Sequence, residues 1–233
     1  LKSTKRLKQS YQTLTPLSRS TFKLLILLTV GLVLIDITVY VWLKAAIAGE
    51  WLGTEQALRT LAGYIDTDIE RSIPAWFNGG LWFVSSAVAL LIAYARSSKT
   101  WMGFALICTG LSLDEIIGFH EGLGPVAQRL IGNQTGLLNF EWVIIGALLT
   151  VVLTAAAYQA VKTLDSNQRR LIFTAGVIFV IGALGFESLS GYAIENYGTQ
   201  FFYHSMAWIE ELLEMTGVSL LLATLVSVSG IDS

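Results

Sequence analysis

Charge is scarce in this sequence. Only 14% of its 233 residues are Asp, Glu, Lys or Arg, against 54% hydrophobic. A soluble domain carries about 25% charged residues, so the scarcity excludes an ordinary water-soluble class. Cysteine is reduced to Cys108, which excludes an intrachain disulfide and leaves a small residue in an apolar stretch. Histidine occurs twice, at His120 and His204, too few for a three-histidine zinc site. No basic patch alternates with aromatics, so nucleic acid is not an expected partner. No lysine lies in the interior of an apolar run, which excludes a retinal-type Schiff base.

Long apolar runs are what is present, several reaching the roughly 20 residues that cross a bilayer. They predict an all-α, multi-pass membrane protein built as a bundle of six transmembrane helices. The expected spans are Phe22–Leu43, Ala75–Ala95, Trp101–His120, Phe140–Val161, Leu171–Ile194 and Met206–Val228. Residues 1–21 read as a basic cytoplasmic arm and 22–233 as one transmembrane domain. The lysines before the first run and Ala46-Ile47-Ala48 superficially resemble a signal peptide. The run from Leu24 to Leu43 exceeds the usual 7–15-residue apolar core of such a signal, and it contains Asp36, so a retained helix is expected. Eleven of the fifteen Lys and Arg fall in the N-terminal segment through Lys23 and the short connectors Arg96–Thr100 and Lys162–Arg170. The positive-inside rule therefore puts both termini in the cytoplasm, in a plasma or inner membrane. Trp51, Trp76, Trp101, Trp142 and Trp208 fall near expected helix ends, as interfacial anchors do.

The first outer loop, Lys44–Pro74, holds an amphipathic pattern. Thr54 is placed to cap a short helix with Leu58, Leu61, Ala62 and Ile65 on one face, suited to lie on the outer membrane surface. Asp66, Asp68 and Glu70 follow at alternate positions, as in a calcium loop. The glycine turn and terminal glutamate of such a loop are missing, so these read as solvated acids. Asn133-Gln134-Thr135 is a sequon in an expected outer loop. Asp114-x-x-x-Gly118-Phe119 echoes Glu187-x-x-x-Gly191-Tyr192, too short a likeness to establish duplication.

The segment LSLDEIIGFHEG, residues 111–122, closes an uncharged run with three acids and a histidine. At about 1.5 Å per residue, Asp114 and Glu115 lie about 20 Å into the third span, and Glu121 reaches the outer interface. Glu187 in the fifth span, and Glu210, Glu211 and Glu214 in the sixth, fall at similar depth, while His204 precedes the sixth. On a continuous helix Asp114 and Glu121 point the same way and His120 elsewhere. Asp36 alone reads as a hydrogen-bonding residue between helices, and Glu141 and Glu195 as interfacial solvated acids. A charged carboxylate near mid-span costs about 2.5–3.5 kcal/mol on insertion scales. No Lys or Arg shares that depth within the spans, so the remedies are protonation, hydration or a bound cation.

Asp114, Glu115, Glu121, Glu187, Glu210, Glu211 and Glu214, with His120 and His204, are therefore candidate ligands of a divalent metal ion. The donor set does not distinguish Fe, Mn, Zn and Ca. Neither histidine follows a Glu at the spacing of a di-iron bundle, and HExxH is absent. Glu210-Glu211 resembles the paired glutamates of membrane-embedded prenyl-protein proteases, but the Arg and histidine motifs that go with them are missing, so that activity is not implied. Three classes stay open. They are a metal-dependent enzyme acting on a lipid or other apolar substrate, a divalent-cation channel or transporter, and a non-catalytic subunit of a larger membrane complex. The expected partners are the lipid bilayer and either another membrane protein or a second copy of the chain. A membrane-impermeant amine reagent added to intact cells should leave the N-terminal lysines unlabelled; labelling there would invert the topology.

Overall fold

Four helices of this chain, beginning at Pro16, Ile73, Lys99 and Ser166, start where a side chain caps them. Thr15 accepts a hydrogen bond from the Ser18 amide at 3.2 Å, and Pro16 takes the first helical position, where its missing N–H is no loss. The first span therefore starts earlier than hydropathy alone suggests. In the computed structural model, which describes residues 2–199 and 201–231, the helices are α1 (Lys2–Gln12), α2 (Pro16–Ala48), α3 (Leu52–Ile65), α4 (Ile73–Ala95), α5 (Lys99–Ile117), α6 (Phe119–Ile131), α7 (Trp142–Val161), α8 (Ser166–Val180), α9 (Glu187–Tyr197) and α10 (Phe201–Ser229). A 3₁₀ turn covers Gly136–Leu138, and a π-helical segment, Ile181–Phe186, joins α8 to α9. Leu1, Gln200, Asp232 and Ser233 lie outside the described residues. They belong to the expected arm, the expected connector before the last span and the end of the expected domain.

Six helices are long and apolar enough to cross a membrane: α2, α4, α5, α7, the α8–α9 unit and α10. Their outward faces carry large apolar side chains such as Leu27, Leu34, Phe83, Leu106, Leu148 and Phe173, a surface suited to lipid rather than to water. α10 is the most buried of the six and α7 the least. Every residue of α10 from Gly217 to Leu225 is buried, as fits a helix surrounded on all sides. It packs on α2, α4 and α8. Two glycines set its approach to the α8–α9 unit. A Cβ on Gly217 would lie 2.8 Å from the Ala175 carbonyl oxygen, and one on Gly182 would lie 2.8 Å from that of Glu210. Small residues at such crossings let backbones meet in a bilayer. α4 and α5 form an antiparallel pair pinned by Ser112 Oγ donating to the Gly79 carbonyl at 2.7 Å and Ser86 Oγ to that of Ala105 at 2.9 Å.

Several local expectations are corrected. The third expected span does not run to His120: Gly118, at φ 68°, ends α5, and its amide donates to the Asp114 carbonyl at 2.7 Å. Glycine alone adopts this left-handed conformation without strain. Gly191, its counterpart in the sequence echo, lies buried within α9 against Phe140, so the two glycines have different jobs. Thr54 does not cap α3; Trp51 holds the cap position without a side-chain bond. Leu58, Ala62 and Ile65 of α3 pack on Val39, Leu43 and Ala46 of α2. The segment Glu121–Asn139, expected as a connector, contains most of α6. Trp101 and Trp208 are buried inside the protein, whereas Trp51 and Trp76 are exposed.

Asp36 ties three parts together. Its Oδ2 accepts from the Thr67 amide at 3.0 Å, Thr67 Oγ1 at 2.8 Å and Trp208 Nε1 at 3.0 Å. It links α2, the loop before α4 and α10. Asp36→Leu leaves two of those buried donors with no acceptor they can replace and should destabilise by on the order of 2–3 kcal/mol. The expected reading is a lower apparent melting temperature in detergent; an unchanged one would show that the three bonds contribute nothing.

Candidate functional site

The end of the bundle where α4 and α10 start and α5 and α9 finish holds the acids; the opposite end holds Arg96, Lys162, Arg169 and Arg170. A cavity of about 950 Å³ opens at the acidic end. Asp114, Glu115, His120, Glu121, Glu187, Glu210, Glu211 and Glu214 all line it. Eight of the nine residues singled out by sequence thus face one space. His204 does not: its ring sits against Tyr40, with centroids 4.5 Å apart, and beside Tyr203 and Trp208. It belongs to an aromatic cluster outside the cavity wall.

The cavity also has walls that sequence reasoning missed. Asp68 and Glu70 line it, although their spacing reads as solvated loop acids. Glu141, expected as an interfacial acid, lines it too, and its Oε1 accepts from the Gln134 amide at 3.3 Å. Asn78, fully buried on α4, gives its amide to Glu115 Oε2 at 2.9 Å and more weakly to Glu214 Oε2 at 3.5 Å. Trp142 Nε1 donates to Glu187 Oε1 at 2.9 Å, Ser190 Oγ to Glu210 Oε2 at 3.3 Å, and Tyr203 OH to Asp68 Oδ2 at 2.7 Å. The one signal for these helpers was their position at the depth of the acids.

The break at Gly118 brings His120 back over the end of α5. Its backbone amide donates to Asp114 Oδ1 at 2.9 Å, and its ring Nδ1 lies 3.2 Å from Asp114 Oδ2. Nε2 is 3.9 Å from Glu70 Oε1. The ring also leans on Trp142, with centroids 4.6 Å apart, so one indole touches both His120 and Glu187. The imidazole can hold a proton against Asp114, with the Glu70 carboxylate near its other nitrogen but beyond hydrogen-bond reach. The angular argument from a continuous helix, which turns His120 away from Asp114, fails because the helix is not continuous.

Counter-charge is sparse. Among the described residues no Lys or Arg lines the cavity, and the ion pairs made there are those of His120 with Asp114 and Glu70. Exclusion of bulk water pushes the Asp68 carboxyl up to about 7; the Tyr203 hydrogen bond works against this, and the charges of Asp66, Glu187 and Asp36 add to it. Burial likewise carries Glu70 up to about 7, opposed by His120 and assisted by Glu121 and Asp114. Burial acts to lower His120, but the hydrogen bond and charge of Asp114, with Glu70 and Glu187, outweigh it and lift the ring to about 9.

Among the described residues no three His, Cys, Asp or Glu side chains converge closely enough to hold a metal ion. The oxygen-rich donor set suits a hard or intermediate divalent cation. Holding one requires carboxylates to turn from their present donors toward the cavity. At its floor, Ile107, Leu111, Thr150, Leu153, Phe179 and Val180 also line a second, apolar cavity that continues toward the basic end.

Asp68 and Glu70 bind protons more tightly in the folded chain than in the unfolded one, where a carboxyl titrates near about 4. The folded state then holds the extra protons between about pH 4 and about pH 7, so stability falls as pH rises through that window. His120 continues the same fall from about pH 6.5 to about pH 9. Melting in detergent should occur at lower temperature near pH 8 than near pH 5, and His120→Gln should flatten the upper part; higher stability at the alkaline end would contradict this.

The family described as "Domain of unknown function (DUF8692)" matches residues 24–228. No curated protein and no solved structure matches the chain. The match extends over all six membrane-length helices, from within α2 to the end of α10, and the chain belongs to that family.

Proposed function

We propose that this member of the DUF8692 family is a multi-pass membrane protein that takes up a divalent cation in its acidic cavity and uses it in a reaction on a lipid or other apolar substrate. One observation carries the reading: ten acids and one imidazole on α5, α6, α9, α10 and the loops before α4 and α7 face one cavity that no Lys or Arg lines among the described residues. These are Asp68, Glu70, Asp114, Glu115, Glu121, Glu141, Glu187, Glu210, Glu211 and Glu214 with His120. Like charges gathered in a low-dielectric wall favour cation uptake.

Glu115, Glu187, Glu210, Glu211 and Glu214 are the oxygen donors that would hold the ion, Glu214 being the most buried of the candidate acids around it. A bound divalent ion supplies Lewis acidity and lowers the pKa of bound water. Asn78 and Trp142 orient Glu115 and Glu187 by direct hydrogen bonds. His120, held between Asp114 and Glu70, is placed to store and return a proton. Orientation follows the basic end: by the positive-inside rule the cavity faces the outer side.

A divalent-cation channel or transporter would use the same carboxylates. The floor of the cavity speaks for the enzyme instead, since Ile107, Leu111, Leu153, Phe179 and Val180 continue it into apolar space. That is a route for a hydrocarbon chain and a barrier to an ion.

Elemental analysis of the purified protein should find a divalent metal, which Glu187→Gln and Glu214→Gln each strip by most of its occupancy with the elution profile and helical content unchanged. Full occupancy in both variants would remove these residues from the site. Iron or manganese would favour the enzyme, and exchangeable calcium with ion flux in liposomes would favour transport.

A further inference from the structure

The apolar cavity below the acids has a charged end of its own. It measures about 720 Å³, within the roughly 300–1,000 Å³ of ligand pockets. Phe104, Leu153, Ala157, Phe173, Phe179 and Leu221 are among its walls, so it runs between α5, α7, α8 and α10. α7 packs on α5 and only lightly on α8, which leaves the cavity open toward the lipid between them. At its far end stand Ser166, Arg169 and Arg170.

Those two guanidinium groups have neutral partners. Arg169 donates to the Lys162 carbonyl at 3.4 Å, and Arg170 to Ser10 Oγ at 2.8 Å, the Arg6 carbonyl at 3.4 Å and Asn167 Oδ1 at 3.5 Å. Among the described residues neither forms an ion pair with an acid. Two planar, fixed positive charges at the mouth of an apolar slot match a phosphate group on a hydrocarbon tail. The length agrees as well. Arg170 to Val180, the last residue of that helix lining the cavity, spans 10 steps along α8, or about 15 Å at 1.5 Å per residue. One leaflet of a bilayer is about 15 Å of hydrocarbon.

We infer that this cavity binds one anionic phospholipid from the leaflet at the basic end, its phosphate on Arg169 and Arg170 and one acyl chain laid along α8. The end of that chain reaches Thr150, Leu153, Phe179 and Val180, which also line the acidic cavity. Binding of the lipid stands on this geometry alone; its use as the substrate rests on the reading of the acidic cavity given above.

The test uses the full chain in mild detergent, titrated with phosphatidylglycerol or with phosphatidylcholine of the same acyl chains and read by native mass spectrometry. One phosphatidylglycerol per chain should be retained in preference to phosphatidylcholine. The double variant Arg169→Gln, Arg170→Gln should lose that preference by about thirtyfold. Gly176→Phe, which puts a ring into the slot, should weaken retention of both lipids. In the unaltered protein, phosphatidylglycerol with a photoreactive group at the end of its acyl chain should label the peptides carrying Thr150–Leu153 and Phe179–Ile181. Equal retention of the two lipids, undiminished phosphatidylglycerol on the double Arg variant, a lipid-free dimer, or label confined to the outward face of α2 would each overturn the inference. Glu214→Gln should retain the lipid unchanged, so loss of metal there leaves the lipid site standing, and loss of lipid with metal intact leaves the metal reading standing.

Discussion

A carboxyl group inside a bilayer has to find a proton, a hydrogen-bond donor or a cation, because the surrounding hydrocarbon offers none of them. Everything at the acidic end of this bundle is arranged around that requirement. Asp36 meets it with three donors on one oxygen and does not line the cavity. The acids facing the cavity meet it only in part. Glu115 and Glu214 share the amide of one asparagine, and Glu187 has one indole. A structural polar network in a core tends toward full satisfaction. The contrast between Asp36 and the cavity acids therefore separates a residue bonded within the fold from residues whose carboxylates face open space.

The bundle and its polar end were legible in the sequence because both rest on rules that act over many residues. Hydropathy runs fixed the six membrane-length helices, and counting residues along each placed Asp114, Glu187 and Glu210 at one depth. What failed depended on a single backbone angle or on a contact distant in sequence. His120 looked averted because a straight helix was assumed through Gly118, whose left-handed conformation turns the chain. Asp68 and Glu70 looked like loop acids because nothing local ties them to Tyr203 or His120. His204 looked like a candidate ligand from its place just before the sixth span, yet α10 turns it toward Tyr40. Trp142 and Trp208 looked like anchors at the interface, and both instead spend their indole N–H on a carboxylate, half-buried Glu187 and buried Asp36. Aromatic position along a span was readable; the direction of the ring was not.

The two cavities divide the interior by chemistry in a way that the helix packing explains. α10, with glycines at its crossings, closes tightly on α8, and α4 closes on α5. α7 is left as the loosely held wall, the least buried of the six. Its polar end contributes Trp142 to the acidic cavity, and its middle contributes Thr150 and Leu153 to both spaces.

The wide turn at Ile181–Phe186 carries a consequence for evolution of the fold. A π-helical segment holds one residue more than the α-helical path it replaces, so the phase of everything after it is offset by about 100° relative to α8. Relatives that lack the bulge would keep an acid at the place of Glu187 only by dropping one residue here. A single-residue gap in this stretch is thus a conformational variant of the same wall, and aligning it away would misassign the acid.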